Sequence, residues 1–150
     1  MSFEGFRVQF ESFDPDTGVV HVTSAVGSFS AVWADDREPK PGDWSYIEFD
    51  TDPTCVWGVD VVEVSPDEPD RITEDAEGWW FVGKILGIEP DSDSYFDGGR
   101  FISEVDLEDG IFTLRLGPHM SGLLAAEGLP RDAAGRHVRV RQTRVHLYPQ

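Results

Sequence analysis

Alternation constrains this chain more than any other feature. Phe6, Val8 and Phe10 alternate with Arg7, Gln9 and Glu11, and a period of two puts the apolar set on one face of a β-strand and the polar set on the other. Asp14-Pro15-Asp16-Thr17-Gly18 then combines a proline that presets φ with a glycine free to turn left-handed, which closes a hairpin onto Val19-Val20-His21-Val22. Phe29, Ala31 and Trp33 mark a third strand and Trp44-Ser45-Tyr46-Ile47-Glu48-Phe49 a fourth. Val56 to Val64 makes a fifth. The expected class is all-β.

Residues 65–78 contain two prolines, six acids and one isoleucine, a linker composition. They divide the chain into an acidic half at 1–64, an acidic Pro-containing linker at 65–78 and a second half at 79–150. The second half repeats the plan of the first: Trp79 to Ile88 is its opening strand, and Glu89-Pro90-Asp91 stands 75 residues after Asp14-Pro15-Asp16. Gly99 to Leu107 and Ile111 to Leu116 continue it. Ser121-Gly122-Leu123-Leu124-Ala125-Ala126-Glu127-Gly128 reads as a short helix, with a Ser cap and a Gly stop. The final stretch, Arg136 to Tyr148, alternates through Val138 and Val140 before its apolar phase slips at Gln142-Thr143, as a bulge or turn would make it do.

The expectation is two tandem, small, five-stranded barrel-like halves with one short helix in the second. That element order is similar to Greek-key barrels of the OB-fold type, and an SH3-like barrel fits the first half equally well. The likeness is one of element order and implies no function.

Charge narrows the classes of partner. The net charge is −17, but residues 1–78 hold 4 Lys+Arg against 19 Asp+Glu whereas 79–150 hold 8 against 10, so the halves carry −15 and −2. Such a field repels nucleic acid and anionic membranes and attracts basic proteins. A high-salt proteome would produce the same excess. The opening Met1-Ser2-Phe3-Glu4-Gly5 lacks the basic and apolar regions of a signal peptide, and the single Cys55 cannot form an internal disulfide. Both point to a cytoplasmic protein.

Chemistry-bearing motifs are absent. Asp91-Ser92-Asp93-Ser94-Tyr95-Phe96-Asp97-Gly98-Gly99 has the acids of a calcium loop, but Tyr95 and Phe96 stand where a ligand and the turn glycine belong. His21, His119, His137 and His146 are scattered without metal-ligand spacing and read as exposed strand residues. No cofactor, metal or catalytic residue is therefore expected. Trp33, Trp44 and Trp57 fall in the strand pattern of the first half and read as core. Of the adjacent Trp79 and Trp80, one must face out of the local core and so can seal the contact between halves. Arg136, Arg139, Arg141 and Arg144 form a basic edge facing the acidic half.

The reading with most support is a non-catalytic binding protein of inhibitor or immunity type, which neutralises a basic partner such as a toxin, possibly a nuclease. Its contact region is expected at Asp35, Asp36, Glu38, Asp43, Glu48, Asp50 and Asp52, with Trp44 or an exposed neighbour as apolar anchor. A structural or adaptor module in a larger assembly is the alternative, and a small enzyme ranks third.

Overall fold

The computed structural model describes residues 6–51, 55–90, 96–97, 100–101, 109–118 and 120–150. In chain order the strands are β1 (Phe6–Asp14), β2 (Val19–Ser24), β3 (Gly27–Trp33), β4 (Trp44–Thr51), β5 (Cys55–Val56), β6 (Val61–Glu63) and β7 (Arg71–Asp75). They continue with β8 (Gly78–Pro90), β9 (Phe96–Asp97), β10 (Arg100–Phe101), β11 (Asp109–Arg115), β12 (Ser121–Glu127), β13 (His137–Gln142) and β14 (Val145–Pro149). The all-β expectation holds.

The first hairpin forms for the reasons its sequence supplies. Gly18 turns with φ of 75°, its N–H donates to the Asp14 carbonyl at 2.8 Å, and the Asp14 side chain accepts from the Asp16 N–H at 2.9 Å. The turn sets a register in which Asp14 faces Val19 and Phe10 faces Val22, with one bulge between Phe10 and Ser12. Phe6, Val8 and Phe10 then point inward with Val20, Val22, Phe29 and Ala31, all buried. Burying each of the Phe and Val side chains is worth about 1.5–3 kcal/mol.

The barrel closes in the order β1-β2-β3-β14-β4, with β4 returning to β1. Its fifth strand comes from the end of the chain: β14 runs parallel to β3 and antiparallel to β4, and carries Val145 and Leu147 into the core. The second sheet runs β5-β12-β11-β8-β13-β6, with β7 on β8, and a bridge between Trp57 and Val61 draws its two ends towards each other. The two bodies therefore exchange strands across residues 65–78. That acidic segment itself supplies β7, whose Ile72 is buried against the core. The phase slip at Gln142-Thr143 is where the chain leaves β13 and crosses to the barrel.

The short helix expected at 121–128 is not formed. Ser121–Glu127 is strand β12, paired residue for residue with β11 from Arg115↔Ser121 to Asp109↔Glu127. Its Gly122, Leu124 and Ala126 are buried while Leu123 is half exposed, a period of two. Leu and Ala favour helix intrinsically, but propensity is worth only tenths of a kcal/mol per residue. A seven-residue ladder and a shared core outweigh it.

One hydrophobic cluster spans both bodies. Phe49 lies 4.8 Å from Phe6 on the barrel side and 5.4 Å from Phe81 of the second sheet, between ring centroids. Polar contacts fix the same seam: the Ile72 N–H donates to the Val26 carbonyl at 2.8 Å, the Glu74 carboxylate accepts from the Ser30 N–H at 2.8 Å, and the Trp79 indole donates to the Ser30 carbonyl at 2.8 Å. Trp79 is thus the member of its pair that seals the seam.

Candidate functional site

Strand β4 fixes the face on which the expected contact residues lie. Ile47 is buried in the barrel, so the alternation sends Trp44, Tyr46, Glu48 and Asp50 to the outside in one row. Trp44 is therefore not a core residue. It lies three positions from Ile47, on the opposite face, and is 51% exposed, as Tyr46 is 53% exposed. The Arg7 guanidinium sits 4.4 Å from the Trp44 ring centroid and holds the indole in place by a cation–π contact. Trp33 and Trp57 pack against the core as expected.

Glu38, Asp43 and Trp44 meet on one groove, floored by Phe10 and Trp33 and flanked by Lys40. The floor is firm: Phe10 and Trp33 pack edge to face at 5.2 Å, and the Trp33 indole donates to the Arg37 carbonyl at 2.6 Å, tying down the loop that carries the acids. The Asp43 carbonyl accepts from the Phe10 N–H at 2.9 Å, which fixes the start of β4. Asp35 spends its carboxylate locally, accepting from the Arg37 N–H at 3.0 Å. Asp36 is exposed and lies outside the groove lining.

Further along β4 the acids acquire partners that sequence spacing could not reveal. Asp50 forms an ion pair with Arg144 across 94 positions of chain. Glu48 accepts a hydrogen bond from the Tyr148 hydroxyl. Burial raises the Tyr148 phenol above the ordinary tyrosine value, and the Glu48 hydrogen bond and the charges of Glu48 and Asp50 push it the same way. Asp52 lies outside the described residues.

A phenol whose folded value exceeds its unfolded one holds its proton more tightly in the native state, so its contribution to stability is lost as pH rises through the alkaline range. Absorbance titration at tyrosinate wavelengths is expected to show one late-ionising tyrosine that Tyr148→Phe removes. A difference spectrum identical for the two proteins would contradict this.

The basic edge is distributed among separate tasks. Arg144 reaches Asp50 in the barrel, Arg141 binds Asp75 at 2.9 Å, and Arg136 binds Asp132 at 2.9 Å and Glu63 at 3.7 Å. Arg139 and Arg141 lie over the Trp80 ring at 4.4 and 3.9 Å, so Trp80 is the outward-facing partner of Trp79. The hydrogen bond from Arg141 holds the exposed Asp75 carboxyl below the ordinary aspartate value. These surface pairs are worth little each. The bodies are held together by β14 and the shared core, so salt alone is not expected to part them.

Another cluster escaped the sequence entirely. Arg115, Lys84 and His137 are cross-strand neighbours on β11, β8 and β13, with Asp70 contacting Arg115 at 3.8 Å and His137 at 3.4 Å. His137 is only 10% exposed, which corrects its reading as a surface histidine. Neighbours on adjacent strands are many residues apart in sequence, so no local signal marks them. Among the described residues no group of three or more His, Cys, Asp or Glu side chains could hold a metal ion. Cys55 is buried, with its thiol 3.0 Å from the Ala125 carbonyl. The acidic segment 91–95 and His119 lie outside the described residues, and no described helix is long and apolar enough to cross a membrane.

No protein-family model, curated protein or solved structure matches the chain.

Proposed function

We propose that this chain is a non-catalytic protein-binding protein whose acidic barrel engages and neutralises a basic partner, in the manner of an inhibitor or immunity protein directed at a toxin such as a nuclease. The observation that carries this reading is the outer row of β4. Of two aromatic side chains that are each half exposed, Trp44 lines the groove with Glu38 and Asp43, and Tyr46 stands between Trp44 and Glu48 on the outer row of the strand.

An exposed Trp–Tyr pair flanked by Glu38, Asp43 and Glu48, with Arg7, Arg37 and Lys40 interspersed, has the mixed aromatic and charged composition of an interface centre. Trp and Tyr supply rigid contact area and dominate hot spots. Carboxylates around them accelerate encounter with a cationic surface by long-range attraction. The field of a −17 chain works in the same direction. Arg7 keeps the Trp44 ring ordered before binding, which lowers the entropy lost on association.

The test is capture of basic proteins from a lysate at low and high salt, followed by kinetics on the protein retained. Trp44→Ala is expected to weaken binding about 30-fold, the usual cost of a hot-spot aromatic at about 2 kcal/mol. Glu38→Lys with Asp43→Lys is expected mainly to slow association, most visibly at low salt. Binding that ignores salt and both sets of substitutions would refute the assignment.

A further inference from the structure

We propose that the row of Arg115, Lys84 and His137 on the second sheet is a binding site for a tetrahedral oxyanion of the phosphate class, and that the Asp70 carboxylate occupies the ligand's place. The site belongs to the second sheet and does not depend on what the outer row of β4 binds. Lys84 of β8 stands directly opposite Arg115 of β11 on one side and His137 of β13 on the other, and residues paired directly across a ladder project from the same face. Three basic side chains from three strands are thus set in line.

Asp70 answers this row incompletely. One of its oxygens lies 3.4 Å from His137 Nε2 and the other 3.8 Å from Arg115 Nε, distances of ion pairing rather than of good hydrogen bonds. Both nitrogens are buried, and neither makes a hydrogen bond among the described residues. The His137 side chain is only 10% exposed. A buried donor in this condition costs about 1–3 kcal/mol. Among the described residues no other carboxylate forms an ion pair with any of the three.

Geometry and charge select the ligand. A carboxylate has two oxygens, and here one is turned to each end of the row, which leaves none for Lys84 in the middle. A tetrahedral oxyanion offers a third oxygen and a second charge, and both Arg and Lys bind phosphate oxygens through charge-assisted hydrogen bonds. The net charge of −17 does not forbid this, because screening limits the reach of exposed charges to about 8 Å at physiological salt, and at that range the row outweighs Asp70. A nucleic acid spans many such lengths and meets the repulsion of the acidic half, so the ligand is a single phosphate group. Asp70 reaches the row from the largely exposed turn at 65–70 and can yield to an ion without any change in the ladders beneath.

Inorganic phosphate, methyl phosphate and chloride, titrated separately into the full chain at one pH and matched ionic strength, test this through the NMR signals of the His137 imidazole and the Arg115 Nε–H. Phosphate is expected to shift these signals saturably, and chloride is not. Methyl phosphate bound at least as tightly as the inorganic ion marks a phosphomonoester as the ligand; a preference for inorganic phosphate marks the free ion. Asp70→Asn removes the competing carboxylate and is expected to tighten phosphate binding about tenfold, the effect of one neighbouring charge at a partly exposed site. Lys84→Gln is expected to weaken binding about tenfold, through loss of one charge-assisted hydrogen bond. A gain of affinity cannot come from misfolding, and should Asp70→Asn fail to fold, Lys84→Gln decides. No saturable shift with either phosphate, an equal response to chloride, weaker phosphate binding in folded Asp70→Asn, or unchanged binding in Lys84→Gln would overturn the assignment and leave Asp70 a structural clamp.

Discussion

Removing residues 145–150 is expected to abolish cooperative folding of the whole chain. The deletion takes out β14, which pairs with β3 on one side and β4 on the other, and it takes Val145 and Leu147 from the core, where they are 1% and 0% exposed. The two side chains alone account for about 3–6 kcal/mol of burial, against a net stability of about 5–15 kcal/mol for a typical domain. The loss of main-chain pairing along β4, and of the ladder that closes the barrel, comes on top. Two unpaired strand edges would remain, and such edges invite association between chains.

Thermal melts followed by circular dichroism, with light scattering, check the result. Leu147→Asp should mimic the deletion in part, and removing Gln150 alone should do little. A truncated chain that keeps one sharp transition near the original midpoint would show that the barrel does not need its fifth strand. The same logic applies to a fragment ending at residue 64, which contains β1 to β4 but cannot close.

The second large effect is expected at Gly83. On β8 one edge is covered by β13, while the other passes from β7 at 78–82 to β11 at 84–90. Gly83 is the junction. A Cβ placed there would lie 2.0 Å from the Arg115 carbonyl oxygen and 3.2 Å from Leu114 Cγ. The first obstacle is backbone, held in the β11 ladder, so it cannot swing aside as a flexible side chain would. Gly83→Ala is accordingly expected to cost about 3–5 kcal/mol, in the exceptional tail of single substitutions.

Gly87 provides the comparison on the same strand. A Cβ there meets nothing within 4 Å, so Gly87→Ala is expected to shift stability by no more than about 0.5 kcal/mol. Urea denaturation of the two variants side by side separates a steric cost from a general intolerance of alanine in β8. Similar midpoints for both would contradict the account.

Much of the candidate site was legible in the chain. The phase of β4 follows from Ile47 and Phe49 being apolar, and that phase alone puts Trp44, Glu48 and Asp50 on one outer face. The same reasoning, applied consistently, would have removed Trp44 from the core, because positions 44 and 47 differ by an odd number. The state of the acids was not legible. Whether Asp50 is paired with Arg144, and whether Glu48 binds Tyr148, depends on β14 lying beside β4. No spacing in the sequence expresses that.

What the sequence determined by itself was local: which stretches extend, which face of each is apolar, where Pro and Gly turn the chain, and the concentration of acid in the first 78 residues. Each is set by a residue and its near neighbours, through side-chain period, φ preference and charge. Tertiary structure decided the pairing. It placed the last strand in the first barrel, turned residues 71–75 of an apparent linker into a strand, and drew Ser121–Glu127 out of a helix. Period-two strands can pair in many orders, and the local pattern is the same in all of them. The order is selected by the packing that joins Phe6, Phe49 and Phe81 into one core, a contact between residues brought together only by the completed fold.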